Sequence, residues 1–146
     1  MNPTEIEIIL VEDNQDDAAL TIRALRSKNL FNNILHLKNG QEALDYVYNG
    51  TEFDGKKFND NPKVVLLDLK MPKVNGIEVL EQLKGNEKTK TIPVVVLTSS
   101  AEDPDIKKCY ELGANSYIVK PVGFDNFSKT VVDLGMYWLV MNQPQK

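Results

Sequence analysis

One cysteine and one histidine are all that 146 residues offer in the way of thiolate and imidazole metal ligands. Cys109 alone can close neither an internal disulfide nor a thiolate metal cage, and such scarcity suits a reducing cytosol. His36 lies in a short apolar run, where a structural or solvent role is the expectation. Positive charge is also in deficit: 17 Lys and Arg face 21 Asp and Glu, a net charge of -4, which excludes a general binder of nucleic acid or anionic membrane. No apolar segment approaches the length of a membrane span. Residues 1–7 lack a basic stretch leading into an apolar core, so no signal peptide is expected. Repeats, low-complexity tracts and linkers are missing too. Residues 1–146 are therefore expected to form one soluble, cytoplasmic domain.

Against these absences stand five short apolar runs, alternating with stretches of helical period. Residues 6–11 are continuous and β-branched, the pattern of a strand covered on both faces. Glu12-Asp13-Asn14 ends that run. A helix starting at Asn14 or Gln15 then carries Asp16 and Asp17 in its first turn, where the helix dipole favours acids, and Ala18, Ile22 and Leu25 form its apolar stripe. Residues 34–37 predict a second strand and 41–48 a helix with Ala43, Leu44 and Val47 inward. Residues 49–62 form a loop longer than α/β units usually need. Further strands are predicted at 63–68, 92–97 and 115–119, and helices at 76–84, 103–112 and 123–141. Ile77, Leu80 and Leu83 share one side of the first of these helices, and Gly113 stops the second. Strict alternation predicts an α/β fold: a doubly wound, five-stranded parallel sheet with helices on both faces.

The last helix carries two apolar stripes. Phe127, Val131, Leu134, Trp138 and Met141 suffice to dock it on the sheet, while Val132, Met136, Leu139 and Val140 lie on roughly the opposite side. A surface helix needs one apolar face, so the second predicts a cover, either neighbouring helices or a partner. Cys109 is expected as buried filler beside Ile106 and Tyr110. Lys84, Lys88 and Lys90 are expected on a solvated face.

Functional groups gather where the strands end: Glu12 and Asp13 after the first, Asp68 after the third, Thr98 after the fourth and Lys120 after the fifth. Parallel order puts all of them at one edge of the sheet, the edge where ligands bind in open α/β folds. Three converging carboxylates repel unless a cation joins them, and hard oxygen ligands in a small site favour Mg²⁺. Lys120 supplies a point charge and Thr98 a hydroxyl donor for phosphoryl oxygens. With that charge balanced, an aspartate can attack phosphorus, and Asp68, from a central strand, is best placed to do so.

Ile8-Ile9-Leu10-Val11-Glu12-Asp13-Asn14, Leu66-Leu67-Asp68-Leu69-Lys70-Met71-Pro72, Asn75-Gly76, Leu97-Thr98-Ser99-Ser100, Gly113-Ala114 and Lys120-Pro121 closely resemble the receiver domain of two-component response regulators. The resemblance runs over nearly the whole chain, with every motif in the expected order. It implies the flavodoxin-like strand order 2-1-3-4-5. The long loop before the third strand, and the ending with Tyr137-Trp138, Asn142 and Pro144, look most like stand-alone regulators paired with bacterial phytochrome-type histidine kinases.

By position, the resemblance implies Asp68 as the phosphoacceptor. It implies Mg²⁺ held by Asp13, Asp68 and the backbone carbonyl of Lys70, with Glu12 acting through water. Thr98 and Lys120 would bind the phosphoryl group, and Tyr117 would be the aromatic switch that swings inward as Thr98 moves toward the phosphoryl oxygen. The face made by the fourth helix, fifth strand and fifth helix would then change, for a partner to read. A cis bond between Lys120 and Pro121 is implied as well. Lys70, two residues past the acceptor, could shield the acyl phosphate from water or clamp its product; the sequence leaves both open. Implied partners are a sensor histidine kinase, a downstream protein or phosphotransfer partner and, through the last helix, a second copy; nucleic acid and membrane are not among them. Such a protein turns over no external metabolite and is not an enzyme in that sense. The main alternative is a phosphate-independent interaction module with the same fold, against which the intact acid pair, Asp68, Thr98 and Lys120 argue. A phosphatase of the haloacid-dehalogenase type is a weaker rival, because Asp13-Asn14-Gln15 lacks a second acid and the chain is too short for a usual cap domain.

Overall fold

The computed structural model describes residues 7–27, 33–58, 62–71, 74–120 and 124–138. Strands β1 (Ile8–Val11), β2 (Ile34–Leu37), β3 (Val64–Leu67), β4 (Val94–Thr98) and β5 (Ser116–Val119) alternate with helices α1 (Gln15–Ser27), α2 (Gly40–Tyr48), α3 (Gly76–Gly85), α4 (Asp103–Glu111) and α5 (Phe124–Met136). All pairings are parallel, in the order β2-β1-β3-β4-β5. The doubly wound sheet and its strand order are as the sequence and the resemblance imply. β2 has the bounds read from the sequence, while β3 and β5 are shorter than the runs that announce them and β4 is displaced toward its carboxyl end. β4 starts after Pro93, which has no N–H to give a ladder, although its carbonyl still accepts from the Val65 N–H at 2.9 Å.

Alternate residues of each strand face opposite layers. Ile9, Val11, Leu35, Leu37, Val65, Leu67, Val94 and Val96 pack under α2, α3 and α4. Ile8, Leu10, Val64, Leu66, Val95 and Leu97 pack under α1 and α5, against Ala18, Leu25, Phe127, Val131, Leu134 and Trp138. The docking stripe of the last helix is therefore as read from its spacing, with Met141 outside the described residues. In α2 the buried place belongs to Tyr46, while Leu44 is only half-buried. Phe53 and Phe58 of the long loop meet the Tyr46 ring edge-on at 6.1 and 5.8 Å, so that loop covers an aromatic core residue.

Asn39 and Asn75 cap α2 and α3, their side chains accepting from the N–H groups of Glu42 and Glu78 at 2.9 and 3.0 Å. After the second cap, Gly76 presses on the end of β3: a Cβ there would lie 2.1 Å from the Asp68 carbonyl oxygen. Its N–H donates to Leu69 O at 2.9 Å, closing the β3–α3 turn around Asp68.

Two expectations need correction. Lys84 is no solvated cation: its Nζ donates to the carbonyls of Lys90 and Ile92 at 3.1 and 2.8 Å and to Asn115 Oδ1 at 3.1 Å. Asn115 Oδ1 also accepts from the Val94 N–H at 2.9 Å, so one lysine braces α3 to the starts of β4 and β5. Cys109 is fully buried as expected, but Tyr110 turns outward and is half exposed, its hydroxyl accepting from the Tyr117 N–H on the edge strand.

Candidate functional site

Register brings the acids together. Val11 pairs with Leu67, so the next residues, Glu12 and Asp68, leave adjacent strands side by side. The Asp68 N–H donates to Val11 O at 3.1 Å and the Glu12 N–H to Leu37 O at 3.0 Å, which extends the ladder past the regular strands. Glu12 and Asp68 are buried and Asp13 is exposed, yet their carboxylate oxygens lie within 4.8 Å of one another. The Lys70 N–H leans toward Asp68 Oδ1 at 3.4 Å while its side chain stays in solvent. His36, on the edge strand, uses Nε2 to donate to the Glu12 carbonyl at 2.7 Å, a structural role.

Lys120 follows β5 and reaches back across the sheet edge. Its Nζ is 2.6 Å from Glu12 Oε1, 2.8 Å from Asp17 Oδ2 and 3.6 Å from Asp68 Oδ2. Burial works against its charge, but hydrogen bonds to Asp17 and Glu12 and the charge of Asp68 outweigh it, so the ammonium sits above the usual lysine range. Burial pushes Glu12 up to about 7, opposed by Lys120 and reinforced by Asp68. The constellation holds more negative charge than one lysine neutralises, and its hard oxygen donors match a small divalent cation.

Thr98, fully buried, ends β4. From it a chain of contacts leads outward. Ser100 offers its N–H to Thr98 Oγ1 at 3.4 Å and donates its hydroxyl to Asp105 Oδ2 of α4 at 2.6 Å. Half-buried Tyr117 donates its hydroxyl to the Ser100 carbonyl at 2.8 Å. Ser99 stays exposed.

Glu12, Asp13, Asp68, Thr98 and Lys120 thus stand at one sheet edge, with Lys70 and Tyr117 beside it. The spacing argument missed Asp17, which reads only as a first-turn helix acid. The signal was there in principle, since α1 begins directly after β1 and its first turn must overhang the same edge. Of the second stripe on α5, Val132 packs half-buried toward α1, Met136 is exposed, and Leu139 and Val140 lie outside the described residues. The Lys120–Pro121 bond also lies outside them.

Comparison with known proteins places the chain in a family. Residues 8–132 match the family model of the response regulator receiver domain, and the chain belongs to that family. It is a receiver of the kind that works in two-component signalling with histidine kinases. A probable methanogenesis regulatory protein, FilR2 of Methanothrix harundinacea, is 43% identical over 136 residues, covering 93% of this chain and 85% of that one. The Mn²⁺-bound form of response regulator Rcp1, a protein of Synechocystis, superposes with a TM-score of 0.86 at 32% identity, covering 95% of this chain and 98% of that one. A phosphorylated cyanobacterial phytochrome response regulator, RcpA, also gives 0.86, at 31% identity over 97% of this chain and 100% of that one.

Proposed function

We propose that this receiver takes a phosphoryl group from the phosphohistidine of a sensor kinase onto Asp68. One observation carries the reading: a buried aspartate has carboxylate oxygens of Glu12 and Asp13 within 4.8 Å and the Lys120 ammonium 3.6 Å away. An Asp68 oxygen attacks phosphorus, the bond from phosphorus to the imidazole nitrogen breaks, and its electron pair returns to the ring. The product is an acyl phosphate on Asp68. Lys120 meets the phosphoryl charge, and Thr98 offers a hydroxyl donor. When bound, Mg²⁺ held by Asp13, Asp68 and the Lys70 carbonyl, with Glu12 acting through water, supplies positive charge against the phosphoryl oxygens. The hard-oxygen cluster fits that ion, and the Mn²⁺-bound relative supports a divalent metal here.

Thr98 and Tyr117 then carry the phosphorylation state to the face of α4, β5 and α5, where a downstream protein or phosphotransfer partner reads it. Residues 1–146 act as one cytoplasmic receiver domain; among the described residues no helix is long and apolar enough to cross a membrane. Its only chemistry is gain and loss of its own phosphoryl group. Likeness to RcpA supports a phytochrome-type kinase as partner. Exposed Met136 supports a second copy on the last helix. Met136→Asp together with Leu139→Asp is expected to weaken that dimer on a sizing column without preventing phosphorylation.

The deciding experiment is intact mass after incubation with acetyl phosphate and Mg²⁺, beside Asp68→Asn and a chelated control. One phosphoryl adduct that vanishes in both controls is expected. A folded protein that takes up none is a phosphate-independent interaction module instead.

A further inference from the structure

Lys120 is shared unequally among three carboxylates. An ammonium has three N–H donors, and two of them serve Glu12 at 2.6 Å and Asp17 at 2.8 Å, while Asp68 stands off at 3.6 Å. Glu12 and Asp68 also belong to the acidic cluster with Asp13; Asp17 does not. Asp17 is fixed where it stands: its N–H donates to Asn14 Oδ1 at 2.9 Å and its carbonyl accepts from the Thr21 hydroxyl at 2.7 Å. The Lys120 side chain is 10% exposed and that of Asp17 34%, so the pair joins a sheltered cation to an acid at the mouth of the site.

We propose that Asp17 is a positioning residue that draws Lys120 toward α1 and competes with the phosphoryl group for it. The inference rests on Asp68 being the phosphoacceptor. A phosphoryl group there brings up to two further negative charges toward the same ammonium. Lys120 must then redistribute three donors among more acceptors, and Asp17, the most exposed of its partners, is the contact surrendered at least cost. The unphosphorylated state keeps the Asp17 contact and the phosphorylated state gives it up. Removing Asp17 therefore favours phosphorylation. Asp16 is the matched control, because it is exposed, adjacent and equally charged, and no contact joins it to Lys120.

The test titrates acetyl phosphate at saturating Mg²⁺ and follows the phosphorylated fraction of the full chain by intact mass. Asp17→Asn is expected to lower the half-saturating concentration about three- to fivefold. Asp16→Asn should leave it little changed, and Asp17→Glu should restore most of the wild-type value. A second readout needs neither metal nor phosphate. In the metal-free protein, the slowly exchanging Lys120 ammonium signal in a ¹H–¹⁵N correlation should persist in Asp16→Asn and disappear in Asp17→Asn. An Asp17→Asn titration that matches Asp16→Asn or shifts the other way overturns the inference, as does an unchanged ammonium signal. A wild-type chain that takes up no phosphoryl group instead brings down the phosphorelay reading, and this inference with it.

Discussion

Lys84 and Lys120 sit at opposite ends of the same sheet, each donating to oxygen atoms from several elements. At the amino ends of the strands, Lys84 meets two backbone carbonyls and one side-chain amide oxygen, all neutral. At the carboxyl ends, Lys120 meets carboxylates alone. Burial lowers the Lys84 ammonium below the usual lysine range, whereas at Lys120 the carboxylates overcome burial and raise it. The contrast separates a brace from a working cation. Neutral acceptors hold a lysine in one geometry and give it nowhere else to go. Competing anions hold it strongly but leave the choice among them open, and a new anion can redistribute it.

Breaking each lysine tests the contrast most directly. Lys120→Met leaves buried Glu12 and Asp68 without their cation, and should cost about 3 kcal/mol of stability in metal-free buffer. Urea unfolding should recover part of that loss on adding Mg²⁺. Lys84→Met should cost about 2 kcal/mol by taking the lysine donor from the Lys90 and Ile92 carbonyls, with no response to Mg²⁺ and no change in phosphorylation. Equal Mg²⁺ responses in the two variants would erase the distinction.

Stability should also depend on pH. Glu12, held at about 7 in the fold against an ordinary 4.5, keeps a proton that the unfolded chain has lost. Its contribution to stability is complete below the unfolded value and disappears as pH rises through the folded one. The metal-free urea midpoint should therefore fall as pH rises from about 4.5 to about 7 and level off above that. Lys84→Met should retain that slope and Asp68→Asn should reduce it, because burial remains the larger cause of the Glu12 shift. Smallest of all is Gly85→Ala, beside Lys84, where a Cβ meets nothing within 4 Å. A gain of about 0.5 kcal/mol is expected there from chain entropy and helix propensity, readable as a slightly higher melting temperature.

Glu12, Asp13, Asp68, Thr98 and Lys120 were legible because each sits at or just beyond a strand end, and parallel pairing carries every such end to one edge. Strand and helix order followed from hydrophobic period for the same reason: periodicity is local, and burial of one face enforces it. Tyr46 was harder, since its buried place depends on Phe53 and Phe58 folding over it from a loop without period. Lys84 carried no local mark either. Its three acceptors come from Lys90, Ile92 and Asn115, and only the stacking of α3 against the strand starts brings them to one nitrogen.

The order of residues along the chain settles which groups reach the working edge, because strand direction and side-chain alternation are backbone properties that one dimension encodes. How those groups divide one another's charge is settled only in three dimensions. Asp17 and Lys120 are 103 positions apart in sequence and 2.8 Å apart in space. Electrostatic energy depends on that second distance and on the water excluded around it, and no local pattern of residues records either.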